Sequence, residues 1–137
     1  MRWLLVFILW FPGPALGADF SGPARGQVER VIDGDTVKMR VAIWLDQEIL
    51  VSVRLADVDA PELFRPKCEA ERALAREAKL FVETFLSSGE AELADIRRGK
   101  YAGRVVARIE AGGADLGRGL AAAGLAVQGG RGDWCED

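Results

Sequence analysis

No histidine occurs anywhere in the 137 residues of the chain. That absence removes Ser-His-Asp and Cys-His nucleophilic catalysis, His-ligated zinc and any histidine general base. Acid–base work must then fall to carboxylates, Lys, Arg, Tyr or bound water. Cysteine is nearly absent as well: there are two, Cys68 and Cys135, too few to complete a zinc site without further ligands. No run is long enough to span a membrane; the apolar stretch Trp3 to Phe11 has nine residues, where a spanning helix needs roughly 20. An excess of basic charge is missing too. With 18 Lys and Arg against 21 Asp and Glu, the formal net charge is −3, which argues against a histone-like binder driven by bulk charge.

What is there begins with the order Arg2, an apolar centre, Pro12-Gly13-Pro14, then Ala15-Leu16-Gly17-Ala18. A basic start, a short apolar core and small residues at the end make a signal peptide over residues 1–17, with cleavage expected before Ala18. The protein is therefore expected to be secreted or periplasmic, with no membrane association after cleavage. Removal of the leader takes away Arg2 alone and moves the formal charge from −3 to −4. What remains suits one compact domain with a real core, working as a monomer. In an oxidising compartment Cys68 and Cys135 are expected to pair. The long loop so closed contributes roughly 4 kcal/mol in the chain-entropy model.

Residues 18–26 are polar and carry Gly and Pro, and read as a flexible entry to a domain over 27–137. Val28 and Arg30 to Ile32 lead into the turn Asp33-Gly34-Asp35, and Thr36 to Trp44 follows, rich in β-branched and aromatic residues. After Leu45-Asp46-Gln47, the residues Ile49, Val51, Val53 and Leu55 alternate with Leu50, Ser52 and Arg54, the period of a half-buried strand. Residues 57–67 form an irregular loop. Ala70, Leu74, Ala78, Phe81 and Phe85 then recur at helical spacing, which predicts a long helix over 68–87, stopped by Gly89. Strands are expected around Ala91 to Ile96 and Val105 to Ile109, and a short helix over 115–123 ended by Gly124. The fold class is α+β, mainly β: a five-stranded OB-type β-barrel with one long and one short α-helix.

Three clusters concentrate charge. Asp33 and Asp35 lie two apart at a turn, where they can offer oxygens to a hard cation such as Ca²⁺ or Mg²⁺; a plain hairpin turn gives the same pattern. Arg54, Asp57, Asp59 and Glu62 crowd the end of an apolar strand and a loop fixed by Pro61, or Arg54 and one acid simply form an ion pair there. Arg97, Arg98, Lys100 and Arg104 gather four cations at one hairpin, and a guanidinium fork suits phosphate. Arg97 and Arg98 alternate across a strand, so at most one of them faces a given site. A phosphodiester requires cations for its charge and its transition state, and a group to position water. Without histidine, Glu62 is the natural candidate for that last role.

Val31-Ile32-Asp33-Gly34-Asp35-Thr36-Val37, then Arg54-Leu55 with Asp59-Ala60-Pro61-Glu62, then Lys100-Tyr101-Ala102-Gly103-Arg104, resemble in order the three signature segments of the staphylococcal nuclease (thermonuclease) family. The resemblance spans about 27–125. It implies Asp35 and Asp59 as Ca²⁺ ligands joined by the Ala60 carbonyl, with Mg²⁺ or another divalent ion as the alternative metal. It implies Glu62 as the residue that activates or orients water, and Arg54 and Arg104 as the pair gripping the phosphate. It implies cleavage of DNA or RNA with little sequence preference. The last segment carries one residue more than the family's Lys-Tyr-Gly-Arg. Beyond the short helix the pattern offers no further helix, and Trp134-Cys135 tied back to Cys68 is expected to supply that closure. Gln128-Gly129-Gly130 brings no aromatic to the base-stacking surface, so weak nucleotide affinity is expected. The competing expectation is an OB-fold nucleic-acid-binding module with weak or no catalysis.

Overall fold

Strand β1 (Ala24–Val31) turns at Asp33-Gly34-Asp35 into β2 (Thr36–Trp44), which hairpins into β3 (Gln47–Leu55), making an antiparallel meander. The computed structural model describes residues 20–135, so the expected signal peptide and its cleavage point lie outside the described residues. After the two-residue β4 (Val58–Asp59) and helix α1 (Glu69–Phe85) come β5 (Glu90–Arg98) and β6 (Arg104–Ala111). The strands run in the order β3-β2-β1-β5-β6, and β6 returns to pair with β3. This closes a five-stranded barrel in which only the β3–β6 seam is parallel. The short β7 (Ala114–Asp115), helix α2 (Leu116–Ala122) and β8 (Val127–Gln128) follow, with β8 pairing β4.

The alternation in each strand fills the barrel. Val37, Met39, Val53, Leu93 and Ile109 are fully buried and meet Val82 of α1 and Leu116 and Leu120 of α2. Each such side chain contributes about 1.5–3 kcal/mol by leaving water. The outer half of the β2–β3 hairpin does not join this core. Ile43, Trp44, Leu45, Ile49 and Leu50 are exposed, and burial in β3 begins at Val51.

Several boundaries differ from the sequence reading. β1 starts at Ala24, not Gln27, because Ala24 and Gly26 pair with Leu93 and Ala91 of β5. Gly26 fits where a Cβ would meet the Arg40 carbonyl and the end of Met39 at 3.1 Å each, so this glycine marks close packing and not freedom. Helix α1 begins one residue after Cys68, which caps it by accepting the Glu71 N–H on Sγ at 3.3 Å. Its buried face is Glu71, Ala75, Ala78 and Val82. Ala70, read as apolar-facing, is exposed, and its neighbour Glu71 is buried. Asp115 caps α2 by accepting the Arg118 N–H at 2.9 Å.

Candidate active site

The site begins at the turn between β1 and β2. The Asp33 carboxylate accepts the Asp35 N–H at 3.1 Å, an Asx turn that aims Asp35 inward. Gly34 is required there: a Cβ would lie 2.7 Å from the Ala78 Cβ and 3.0 Å from the Ala60 Cβ. Helix α1 and the loop after β3 therefore press directly on this turn. Asp35 itself is only 6% exposed. Its Oδ1 accepts from the Thr36 hydroxyl at 2.9 Å and from Arg54 Nη1 at 2.8 Å, and its Oδ2 faces the Ala60 N–H at 3.4 Å.

Arg54 stands opposite Thr36 in the β2–β3 register, which brings its guanidinium onto Asp35. Its other arm reaches Asp59 Oδ1 at 3.9 Å, so one guanidinium spans two carboxylates. Burial, with Asp33 close by, pushes the Asp35 carboxyl up to about 6; Arg54, Thr36 and the Ala60 N–H offset this in part.

The loop after β3 is fixed at several points. β4 pairs Asp59 with Val127, and the Asp59 Oδ2 accepts the Gly132 N–H at 2.8 Å. Pro61 is fully buried. Glu62 carries its side chain exposed, but its N–H donates to Glu71 Oε1 at 3.2 Å. The other Glu71 oxygen accepts from the Lys67 N–H at 2.6 Å. Glu71, 4% exposed, therefore clamps both ends of the segment that carries Glu62.

Arg104 opens β6, and the parallel seam sets it opposite Ser52, two residues along from the Arg54–Val106 pair. Ser52 and Arg54 share a face of β3, and Arg104 joins them there. The extra residue of the preceding segment falls in the turn Gly99–Gly103, outside the strands. Gly99 donates to the Arg104 carbonyl at 2.9 Å, packed so closely that a Cβ at 99 would strike that carbonyl. Gly103 takes φ +75, a conformation open to glycine. The turn absorbs the added residue, and Arg104 keeps its register.

Asp35, Arg54, Asp59, Ala60, Glu62 and Arg104 all line one cleft of about 430 Å³. Arg97 pairs with Asp57 at 3.8 Å on the surface, and Lys100 lies 5.6 Å from the ring centre of Tyr101; they and Arg98 are not part of the cleft wall. Aromatics are better supplied than the Gln128–Gly130 stretch suggested: Phe64 and Tyr101, 67% and 62% exposed, stand on the cleft wall. Among the described residues no three Asp, Glu or Cys side chains converge as a metal cage. The oxygen donors on offer are the carboxylates of Asp35 and Asp59, with Asp33 on the same wall. These are hard oxygens, which suit Ca²⁺ or Mg²⁺. Cys68 and Cys135 form a disulfide, their Cα atoms 6.0 Å apart.

Glu71 was missed in the sequence because its neighbours made it look like part of a solvated helix face. One signal was available: it sits four residues before Ala75 and seven before Ala78, on the buried face. Gly132 was not legible at all, since its contact with Asp59 bridges distant segments.

A closed five-stranded barrel with a cleft of arginines and carboxylates on its rim defines an OB-type domain. Residues 52–132, more than half of the chain, match the family model of staphylococcal nuclease homologues. The chain belongs to that family. The match takes in Arg54, Asp59, Glu62 and Arg104 and starts after Asp35. No curated protein matches the chain.

Proposed function

We propose that this protein is an exported, metal-dependent endonuclease that hydrolyses phosphodiester bonds of DNA or RNA with little sequence preference. The observation that carries the reading is the convergence of Arg54, Arg104 and Glu62 on one cleft beside Asp35 and Asp59. Arg54 and Arg104 approach from neighbouring strands, so a phosphate between them would meet two guanidinium forks. Both add charge that strengthens on the five-coordinate transition state. Glu62, exposed at the rim on a clamped backbone, orients a water on phosphorus and takes its proton as the phosphorus–oxygen bond to the leaving nucleoside breaks, the departing oxygen taking up a proton from solvent.

Asp35, Asp59 and the Ala60 carbonyl would hold a divalent ion, Ca²⁺ in the first instance, which when bound supplies further charge neutralisation at the phosphate. The disulfide, and the lack among the described residues of any helix long and apolar enough to cross a membrane, are compatible with an exported protein. That no three carboxylates converge as a metal cage among the described residues favours, as a second reading, a binding module with weak or no catalysis. Incubation of the mature protein with single-stranded DNA and Ca²⁺, with and without chelator, decides between them. Cleavage that stops on chelation and falls sharply in Glu62→Gln and Arg54→Ala supports the enzyme; binding without cleavage supports the module.

A further inference from the structure

Past Glu62 lies a second hollow of about 270 Å³, sharing Asp59, Ala60 and Glu62 with the cleft. Its remaining wall includes Arg65, Lys67, Arg131 and Trp134. Among the described residues, none of these three cations has a carboxylate within ion-pair distance. Three acids, Asp59, Glu62 and Glu71, share the wall with them, but Asp59 is engaged by Arg54 and Gly132, and Glu71 by two backbone N–H groups. The hollow therefore offers three cations with no direct ion-pair partner next to the water-positioning glutamate.

Trp134 gives the hollow its second property. Its indole lies on Gly132, where any Cβ would strike the ring. The segment is fastened on both sides of the indole, by the Gly132 N–H on Asp59 and by the Cys68–Cys135 disulfide. A half-exposed aromatic is thus held in place among cations. Phosphate recognition needs the cations, base recognition needs the flat ring, and a nucleic acid strand presents phosphate and base in alternation.

We infer that this hollow is a second nucleotide subsite. It takes the next nucleotide of a single strand, one step beyond the two that flank the scissile phosphate, with its phosphate on Arg65, Lys67 and Arg131 and its base stacked on Trp134. The inference rests on the nuclease reading of the adjoining cleft. It also answers the acidic net charge: binding is local, along a line from Arg104 across Glu62 to Trp134.

The test uses the mature, disulfide-bonded protein with Ca²⁺ and nuclease-resistant phosphorothioate single-stranded DNA, a dinucleotide and an octanucleotide, read by anisotropy. Trp134→Ala and Arg131→Ala each weaken octanucleotide binding roughly tenfold and leave the dinucleotide unchanged. Trp134→Phe, which keeps a stacking face, restores most of the affinity. On cleavable DNA the loss falls on KM. Arg131 is an exposed side chain, so its variant stays informative even where Trp134→Ala disturbs the tail. Equal octanucleotide affinity in the unmutated protein and both variants, with cleavage continuing, overturns the subsite and leaves the nuclease reading standing. No cleavage and no binding of either oligonucleotide by the unmutated protein overturns both.

Discussion

The Glu71 carboxylate accepts the backbone N–H of Glu62 at 3.2 Å, although nine residues and a turn of irregular chain separate them. Its other oxygen holds Lys67 N–H at 2.6 Å. A buried acid on a rigid helix thereby sets the backbone from which the exposed Glu62 side chain projects. Glu71→Ala leaves two N–H groups without partners, each costing about 1–3 kcal/mol if they stay buried. The expected outcome is a lower urea midpoint and a drop in kcat of at least roughly tenfold, since misplacing a catalytic group by a fraction of an ångström is expensive. Glu71→Gln retains one acceptor oxygen and falls between the two. Equal kcat in all three proteins would show that Glu62 does not depend on this clamp.

Asp35 makes stability depend on pH in an unusual direction. Its folded carboxyl titrates at about 6 against an ordinary 3.8, so the folded state holds the proton more tightly than the unfolded one. The stability from this group is fully present below about 4 and is lost as the pH rises through about 6, by roughly 3 kcal/mol in the metal-free protein. Asp35→Asn should flatten that loss and raise the metal-free stability at pH 8 by about 1–2 kcal/mol, while abolishing cation binding. Ca²⁺ binding to the unmutated protein should tighten as the pH climbs from 4 to 6, because ion and proton compete for the same oxygens. Calorimetric titration across that range, beside urea melts, reads both effects.

Gly34→Ala adds a methyl group where the Ala78 Cβ lies at 2.7 Å and the Ala60 Cβ at 3.0 Å. Neither neighbour is a flexible side-chain end, so the turn or the loop must shift. A loss of about 1–3 kcal/mol is expected, together with reduced cleavage, because the same turn aims Asp35. Unchanged melting and unchanged activity would mean that the contact relaxes without cost.

Replacing both Cys68 and Cys135 by serine should lower stability by about 4 kcal/mol and weaken Ca²⁺ binding as well. The second effect follows from Gly132, whose N–H on Asp59 depends on the tethered tail. If the metal affinity of the double variant equals that of the parent at a temperature where both are folded, the tail does not support Asp59.

How far the sequence spoke for itself depended on the range of the contact. β2 is found over Thr36–Trp44 as its β-branched residues suggested, and the alternation Val51-Val53-Leu55 is the buried face of β3. Arg54, Asp59 and Glu62 were readable because they lie on one short segment. Ala24 to Gly26 were not: Pro and Gly signal freedom locally, and only pairing with β5 makes them a strand. Glu71 and Gly132 escaped for the same reason. Each takes its place from partners outside its own periodic pattern, the first from the N–H groups of Glu62 and Lys67, the second from the Asp59 carboxylate far back in the chain.

The single parallel seam, β3 against β6, has one more consequence. Arg104 reaches the face of Arg54 only through that pairing, which is among the most non-local in the barrel and so slow to form. A chain in which that seam has not yet formed carries all the cleft residues but has no place where they meet. If the nuclease reading holds, activity should appear only once the last staves of the barrel are joined.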